Sequence, residues 1–341
     1  MNQTNPECLT WLVTGGAGFI GSHLVERLLA GGHTVLALDD LSTGSLSNLA
    51  EITPGAPFEF HPAVVRDMAV LESLAARSQV IVHLAAAVGV QLIIQAPVRT
   101  IEINVLGTQA VLEAGLRHGA RVLLASSSEV YGKGNGIPFR EDDDVLLGPT
   151  SRNRWSYAAS KMIDEFLALA YQHERGLEVV PFRLFNTIGL RQTGCYGMVV
   201  PRLVGQALRG EPLTVYGNGT QSRCFCDVRD VVEAVVGLGL HPNAAGNVYN
   251  IGGTKEISIL GLAEEVLAVT GSPSRIELVP YDEAYAPGFE DMQRRLPCIQ
   301  RIEQLLNWRP RRTLRESLVA VCDALRTSEP ALLKPHATEK A

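Results

Sequence analysis

Tyr157 and Lys161 sit four residues apart in WSYAASK (155–161), at the start of a helical pattern, so both side chains leave one face. A tyrosine with its ordinary pKa near 10 is a poor base at neutral pH. A lysine ammonium beside it favours the phenolate, which then takes a proton from an alcohol. Upstream, ASSSEVYG (125–132) closes an apolar run with three serines followed by an acid. Ser127 is expected to hold the same alcohol in line. Ser128 and Glu129 add proton-handling groups, and Asn104, inside a neighbouring helical pattern, is expected to bridge water to the lysine. Tyr-x-x-x-Lys alone is common by chance, so its weight depends on what surrounds it.

What surrounds it is an alternation of short β-branched runs and helical patterns. TWLVTGG (10–16), HTVLALDD (33–40), QVIVHLA (79–85), ARVLLASS (120–127) and LEVVPFRL (177–184) read as strands. GFIGSHLVERLLAGG (18–32), TIEINVLGTQAVLEAGLRHG (100–119) and SYAASKMIDEFLALAYQHE (156–174) read as helices. This order predicts an α/β fold, a Rossmann-type doubly wound parallel sheet covered on both faces. Such sheets bind ligands beyond the carboxyl ends of their strands. After about residue 186 the pattern loosens, with helical stretches at 201–211 and 258–271 and a strand at 246–253. The expected division is a dinucleotide lobe over 1–186, to which 225–256 returns, and a smaller C-terminal substrate lobe over 187–224 and 257–330. The tail from about 329 is expected to be loosely held.

The first strand runs into the first helix through TGGAGFIG (14–21). Gly15, Gly18 and Gly21 suit a tight turn, a close approach to a pyrophosphate, and helix-on-strand packing, with Phe19 and Ile20 opening the helix. That helix end offers free N–H groups and positive dipole to the pyrophosphate. Asp39, 24 residues past Gly15, ends the second strand beside Asp40; an acid about 20 residues on binds the ribose hydroxyls. The acid repels a 2′-phosphate and no arginine flanks it, so NAD is expected rather than NADP. A bound nicotinamide would add its positive charge to that of Lys161 in favouring the Tyr157 phenolate.

The chain of 341 residues is long enough for two lobes sharing a cleft, and its 46% hydrophobic and 19% charged residues are those of a globular enzyme. Its net charge of −6 and 6% aromatic content offer neither a phosphate-neutralising surface nor a base-stacking one, so nucleic acid is not an expected partner. Six cysteines lack zinc-ribbon spacing, Cys224 and Cys226 forming only C-x-C, and no metal site is expected. No leader pattern opens the sequence, and the longest apolar stretch, VIVHLAAAVGV (80–90), is too short to span a bilayer. A cytoplasmic protein with reduced thiols and no membrane association is therefore expected.

Together these residues resemble the extended short-chain dehydrogenase/reductase family of nucleotide-sugar enzymes. The resemblance runs from TGGAGFIG through DDLSTG (39–44), HLAA (83–86), SSSEVYG (126–132), YAASK (157–161) and RLFNTIG (183–189) to RGEPLTVYGNGTQSRCFCDVRD (209–230). It implies an NAD-dependent enzyme acting on a UDP-sugar. It adds Ser42, Thr43, Gly44, Leu84, Ala85 and Ala86 to the cofactor wall, and Asp67 as a contact of the adenine. It assigns Asn186 and Arg223 to the substrate diphosphate, with Val200 and the VYGNG stretch lining the nucleotide pocket. It also implies a homodimer formed by the two helices that carry Asn104 and Tyr157.

All members of that family oxidise the sugar at C4, and the residue pair after Ser127 separates their later chemistry. A 4-epimerase needs only rotation of the ketone and no further acid. A 4,6-dehydratase pattern has Asp followed by Glu, whereas this chain has Ser128–Glu129. Ser-Glu is the pattern of UDP-glucuronate decarboxylases, which take carbon dioxide from a β-keto acid, with Arg295 in the place of the family's arginine near the carboxylate. GPTSRNRWSYAASK (148–161) and RCFCDVRD (223–230) resemble the decarboxylase of the bacterial aminoarabinose lipid pathway and UDP-apiose/UDP-xylose synthase alike; the apiose-forming enzymes carry cysteine where Ser128 stands. The leading expectation is a UDP-glucuronate decarboxylase. The alternatives are a UDP-hexose or UDP-uronate 4-epimerase, a dehydratase, or a non-catalytic dinucleotide-binding protein. In the last readings Glu129 is only a half-buried acid held by backbone or by Arg154.

Overall fold

A computed structural model describes residues 8–87, 96–134, 136–193, 198–284 and 292–328. Cys195, the end of the apolar stretch at 88–90 and the tail from 329 lie outside them. Fourteen strands are formed among the described residues. Seven build one parallel sheet: β1 (Thr10–Thr14), β2 (Thr34–Asp39), β3 (Phe58–Pro62), β4 (Val80–His83), β5 (Arg121–Ser127), β6 (Val179–Leu184) and β11 (Tyr249–Ile251). Their order is β11-β6-β5-β4-β1-β2-β3, so the winding reverses between β1 and β4. The chain thus comes back to the sheet at β11, beside β6. A crevice at that reversal is where open α/β sheets bind ligands.

Two-residue alternation decides which face each side chain feeds. Trp11, Val13, Val35 and Ala37 pack into one core with α1 (Phe19–Ala30) and the helix Val228–Leu240. Leu12, Leu36, Leu38 and Ile81 pack into another, on the opposite face, against α2 (Met68–Ala75) and α4 (Gly107–His118). A short α3 (Pro97–Ile101) runs into α4 through a wider turn, Glu102–Leu106, and α5 (Ser156–Arg175) follows on that side. Both faces being covered explains why the strands read as unbroken apolar runs.

The remaining strands form small sheets beyond the carboxyl ends of the large one. β7 (Thr187–Ile188) pairs with β10 (Cys226–Asp227), and β8 (Leu213–Tyr216) with β13 (Ile276–Val279). β9 (Ser222–Cys224) lies between β12 (Glu256–Ser258) and β14 (Arg294–Arg295). A third core, holding Val200, Leu203, Val215, Leu262 and Leu318, gives this lobe its own apolar centre. Among the described residues no helix is long and apolar enough to cross a membrane.

Candidate active site

Between the large sheet and the small lobe lies a cavity of about 1440 Å³. A single small-molecule site occupies roughly 300–1,000 Å³, so this one has room for two ligands end to end. One end is built by the glycine turn. Gly15 has φ +73°, and a Cβ there would stand 2.9 Å from the Ala85 nitrogen. A Cβ on Gly21 would meet the Gly15 carbonyl oxygen at 2.0 Å, so helix and turn touch backbone to backbone. α1 begins after Gly18 without a side-chain cap, and Gly18, Phe19, Ile20 and Gly21 line the cavity. Its first N–H groups are left for an anion.

Asp39 closes the same end. It takes hydrogen bonds from the Ala17 and Leu41 amides at 3.0 and 2.8 Å, while burial pushes its carboxyl upward against the pull of those bonds. Asp40, Ser42, Thr43, Leu84, Ala85 and Ala86 also line this end. Gly44 does not; it packs behind, where a Cβ would crowd Ala17 and the Asp39 carboxylate at 3.0 Å. Asp67, expected at the adenine, is likewise not among the residues that line the cavity. Its side chain caps α2 by accepting from the Val70 amide, and Val64, Val65 and Arg66 line the cavity instead.

The catalytic side chains meet at the centre. β5 ends at Ser127, whose hydroxyl accepts from the Glu129 amide at 3.2 Å and so starts the turn Ser128–Tyr131. Tyr157 and Lys161 face it from α5, and Ser127, Ser128, Glu129, Tyr157 and Lys161 all line the cavity. Asn104 is buried behind them rather than on the wall. It donates to Ser160 Oγ at 3.0 Å and accepts from the Ala87 amide at 2.9 Å, tying α5 to the loop after β4. Burial and the Glu129 carboxylate push the Tyr157 phenol up, against the hydrogen bond from Ser127; the charges expected to pull it down are those of Lys161 and the nicotinamide. Lys161 donates to buried Asp164 at 3.1 Å, which offsets its charge.

At the far end, β14 runs parallel to β9 with Arg295 opposite Arg223. Alternation turns Arg294 outward, to Glu256 at 2.5 Å, and turns Arg295 and Arg223 inward to the cavity. Asn186 and Val200 line the cavity beside them, Asn186 donating to the Cys224 carbonyl at 3.1 Å. Glu129 sits between two guanidiniums, Arg295 at 2.5 Å and Arg154 at 2.6 Å. Burial would raise its carboxyl, but these two charges hold it down at about 2. Glu129 is therefore an anion at rest, not a proton donor, which revises the role expected for it.

Sequence reading does not single out Arg154 or Asp164 as functional, although the pattern holds a signal for both. They lie three residues before Tyr157 and three after Lys161, a spacing that keeps them in line with the face carrying both. The two cysteines of C-x-C are buried on β9 and β10, and burial pushes the Cys224 thiol up to about 12. Among the described residues no group of three or more His, Cys, Asp or Glu is placed to hold a metal.

A glycine cradle that a Cβ would fill, an uncapped helix start and a carboxylate 24 residues on fit a dinucleotide, and a tyrosine–lysine–serine set lines the same cavity. Fold and site together define a dinucleotide-dependent enzyme of the extended short-chain dehydrogenase/reductase kind. The chain belongs to the NAD dependent epimerase/dehydratase family, whose model matches residues 11–252. It is 40% identical over 300 residues to a UDP-N-acetyl-alpha-D-glucosaminuronate decarboxylase of Bacillus cytotoxicus, covering 88% of this chain and 92% of that one. It is 37% identical over 307 residues to UDP-glucuronic acid decarboxylase 1 of Danio rerio, covering 90% and 70%. Among solved structures it is similar to the epimerase Mth375 of Methanothermobacter thermautotrophicus, with a TM-score of 0.86, 28% identity and coverage of 96% and 95%. It is also similar to the Thermus thermophilus UDP-glucose 4-epimerase complex with NAD, at 0.80, 30%, 93% and 99%. NAD is the cofactor and a nucleotide sugar the class of substrate.

Proposed function

We propose that the protein is an NAD-dependent decarboxylase of a UDP-hexuronate, with UDP-glucuronate as the first substrate. The observation that carries this is the pair of guanidiniums that meet Glu129 on the cavity wall. Arg154 and Arg295 each bring cationic N–H donors to that wall, the donor type that takes a uronate carboxylate. The neutral hexose of a 4-epimerase offers those donors no carboxylate.

In this reading 1–186, with 225–256, holds the cofactor, and 187–224 with 257–330 holds the UDP-sugar. Arg223 and Asn186 take the diphosphate and Val200 lines the nucleotide end. Ser127 fixes the C4 hydroxyl and Tyr157 removes its proton, with Lys161 beside it. The glycine turn and Asp39 would hold NAD, which would supply the hydride acceptor that oxidation at C4 needs and the donor for its return. The C6 carboxylate is now β to a ketone. Its C5–C6 bond breaks, carbon dioxide leaves, and the electron pair is held as the enolate across C5, C4 and the ketone oxygen. Glu129 keeps Arg295 and Arg154 aligned on the carboxylate. The proton that C5 takes comes from the side of the pocket where Ser128 and Arg295 carry donors.

The test is product mass after incubation with UDP-glucuronate and NAD. Loss of carbon dioxide supports the reading; an unchanged mass with inverted C4 replaces it with epimerisation. The Bacillus cytotoxicus relative favours a second substrate, UDP-N-acetylglucosaminuronate, so both uronates belong in the assay. A homodimer is part of the same proposal. It is supported by Ile101, Ile163 and Phe166, 42%, 47% and 68% exposed, on the two helical segments that flank Asn104 and Tyr157. So is a cytoplasmic setting, supported by the free thiols of Cys8, Cys224, Cys226, Cys298 and Cys322. Sedimentation at twice the chain mass, lost in Phe166→Glu, checks the dimer.

A further inference from the structure

The Lys161 ammonium and the Asp164 carboxylate are 3% and 0% exposed and 3.1 Å apart on α5, Lys161 on the cavity wall and Asp164 behind it. Tyr157, Lys161 and Asp164 stand at i, i+4 and i+7, one row along that face. A lysine needed only as a positive charge for the phenol would be better served without a buried acid one turn on. We propose that Asp164 is a positioning residue for the reaction: it fixes the Lys161 ammonium and offsets its charge, so the Tyr157–Lys161 couple releases its proton at higher pH than the two groups alone would.

The titratable groups around this couple come from the turn after β5, from β4 and from α5 itself. Glu129 lies across it, after β5, and carries Arg154 and Arg295 with it. His83 on β4 is buried and held down at about 3, first by burial and then by Lys161, so it adds no charge; its Nδ1 meets Thr14 Oγ1 at 2.7 Å. Glu165, next on α5, is consumed by Arg183 at 2.7 Å on the far side of β5. With Glu129 counted against its two guanidiniums, Asp164 is, among the described residues, the acid whose charge falls on Lys161 directly. A neutral side chain there removes one negative charge from a low-dielectric pocket. The proton of the couple must then leave at lower pH, whichever of the two groups releases it.

The inference rests on the base role proposed for Tyr157 only in its kinetic arm; its spectroscopic arm needs no substrate. Protein labelled with 13Cζ-tyrosine carries eight tyrosine signals, and the one lost in Tyr157→Phe is that of the base. In the NAD-loaded enzyme, Asp164→Asn moves its titration midpoint to lower pH by on the order of one pH unit. Asp164→Glu keeps it near the wild-type position. The acid limb of the pH profile for kcat moves by the same amount in Asp164→Asn, while KM changes less than about twofold. If Asp164→Asn does not fold, Asp164→Ser carries the same reading. An unmoved midpoint in a folded neutral variant overturns the proposal. Folding of Asp164→Glu with failure of every neutral variant overturns it as well, since the pair is then architectural. A Tyr157→Phe enzyme with full turnover would remove the base role and leave the midpoint result standing.

Discussion

Two buried ion clusters lie on either side of the end of β5, built from the same residue types, and only one of them is a site. Ser126 points to one side, where its hydroxyl donates to Glu165 and Glu165 is gripped by Arg183 through Nε and Nη2 at 3.0 and 2.7 Å. Arg183 also donates to the Glu141 carbonyl and lies 4.7 Å over the Tyr131 ring. That cluster is electrically closed, and Glu165 and Arg183 both stay off the cavity wall. Ser127 and Glu129 turn to the other side, where one carboxylate meets two guanidiniums and all three face the cavity. Burial of charge does not by itself mark function. Cationic donors on a wall with room for a ligand do.

Removing one member from each cluster separates the two meanings. Arg295→Gln removes one of the two cationic donors, so kcat/KM with a UDP-uronate falls about 10²–10³-fold, the cost of truncating one side of a buried charge contact. Its melting temperature changes little, since Arg154 still holds Glu129. Glu165→Gln does the reverse. It leaves Arg183 buried and unpaired and costs about 3–5 kcal/mol of stability, while turnover per folded molecule stays within a few-fold. Comparable turnover losses in both variants would erase the distinction. Glu129→Gln reads the open cluster from its acid side. With its carboxyl held at about 2 against an ordinary 4.5, Glu129 contributes stability that is complete above about pH 4.5 and lost as pH falls toward about 2. The glutamine variant lacks that acid limb in a urea titration between about pH 5 and 2.5. It still reduces bound NAD with substrate, and carbon dioxide release stalls.

The open cluster is half legible in the sequence, and the closed one hardly at all. The strands, the glycine turn and the Tyr157/Lys161 pair show themselves through short-range periodicities, and a parallel sheet forces such periods on the chain. Glu129 stands out because an acid directly after a serine strand end is a local pattern. Its partners come from 25 residues downstream and from a two-residue strand: Arg154 enters the sequence reading only as one of two ways to hold a passive acid, and Arg295 only through the family resemblance. Asp67 has a second role visible in the sequence itself: an acid directly before a helical run is first of all an N-cap, and Asp67 caps α2. Spacing shows the charges that share a helix face, Lys161 with Tyr157, but not the burial and the Glu129 carboxylate that push the phenol the other way. Asp164 stands in plain view three residues on.

Adjacent arginines give the finest form of the comparison. Arg294 and Arg295 are indistinguishable by composition and local sequence, and a strand two residues long has no period of its own to sort them. Pairing with β9 does the sorting: Ser222 and Arg294 fall on the solvent side with Glu256, Arg223 and Arg295 on the cavity side. The Arg294 side chain is 52% exposed and that of Arg295 is 10% exposed. An exposed pair in high dielectric gains little from its partner and is screened by salt. Arg294→Gln should therefore leave turnover with a UDP-uronate and the melting temperature unchanged within error, at low and at high salt. A loss approaching that of Arg295→Gln would mean that the register of β14 on β9 is shifted by one residue in solution, which would exchange the two side chains and move the Arg295 guanidinium off the wall.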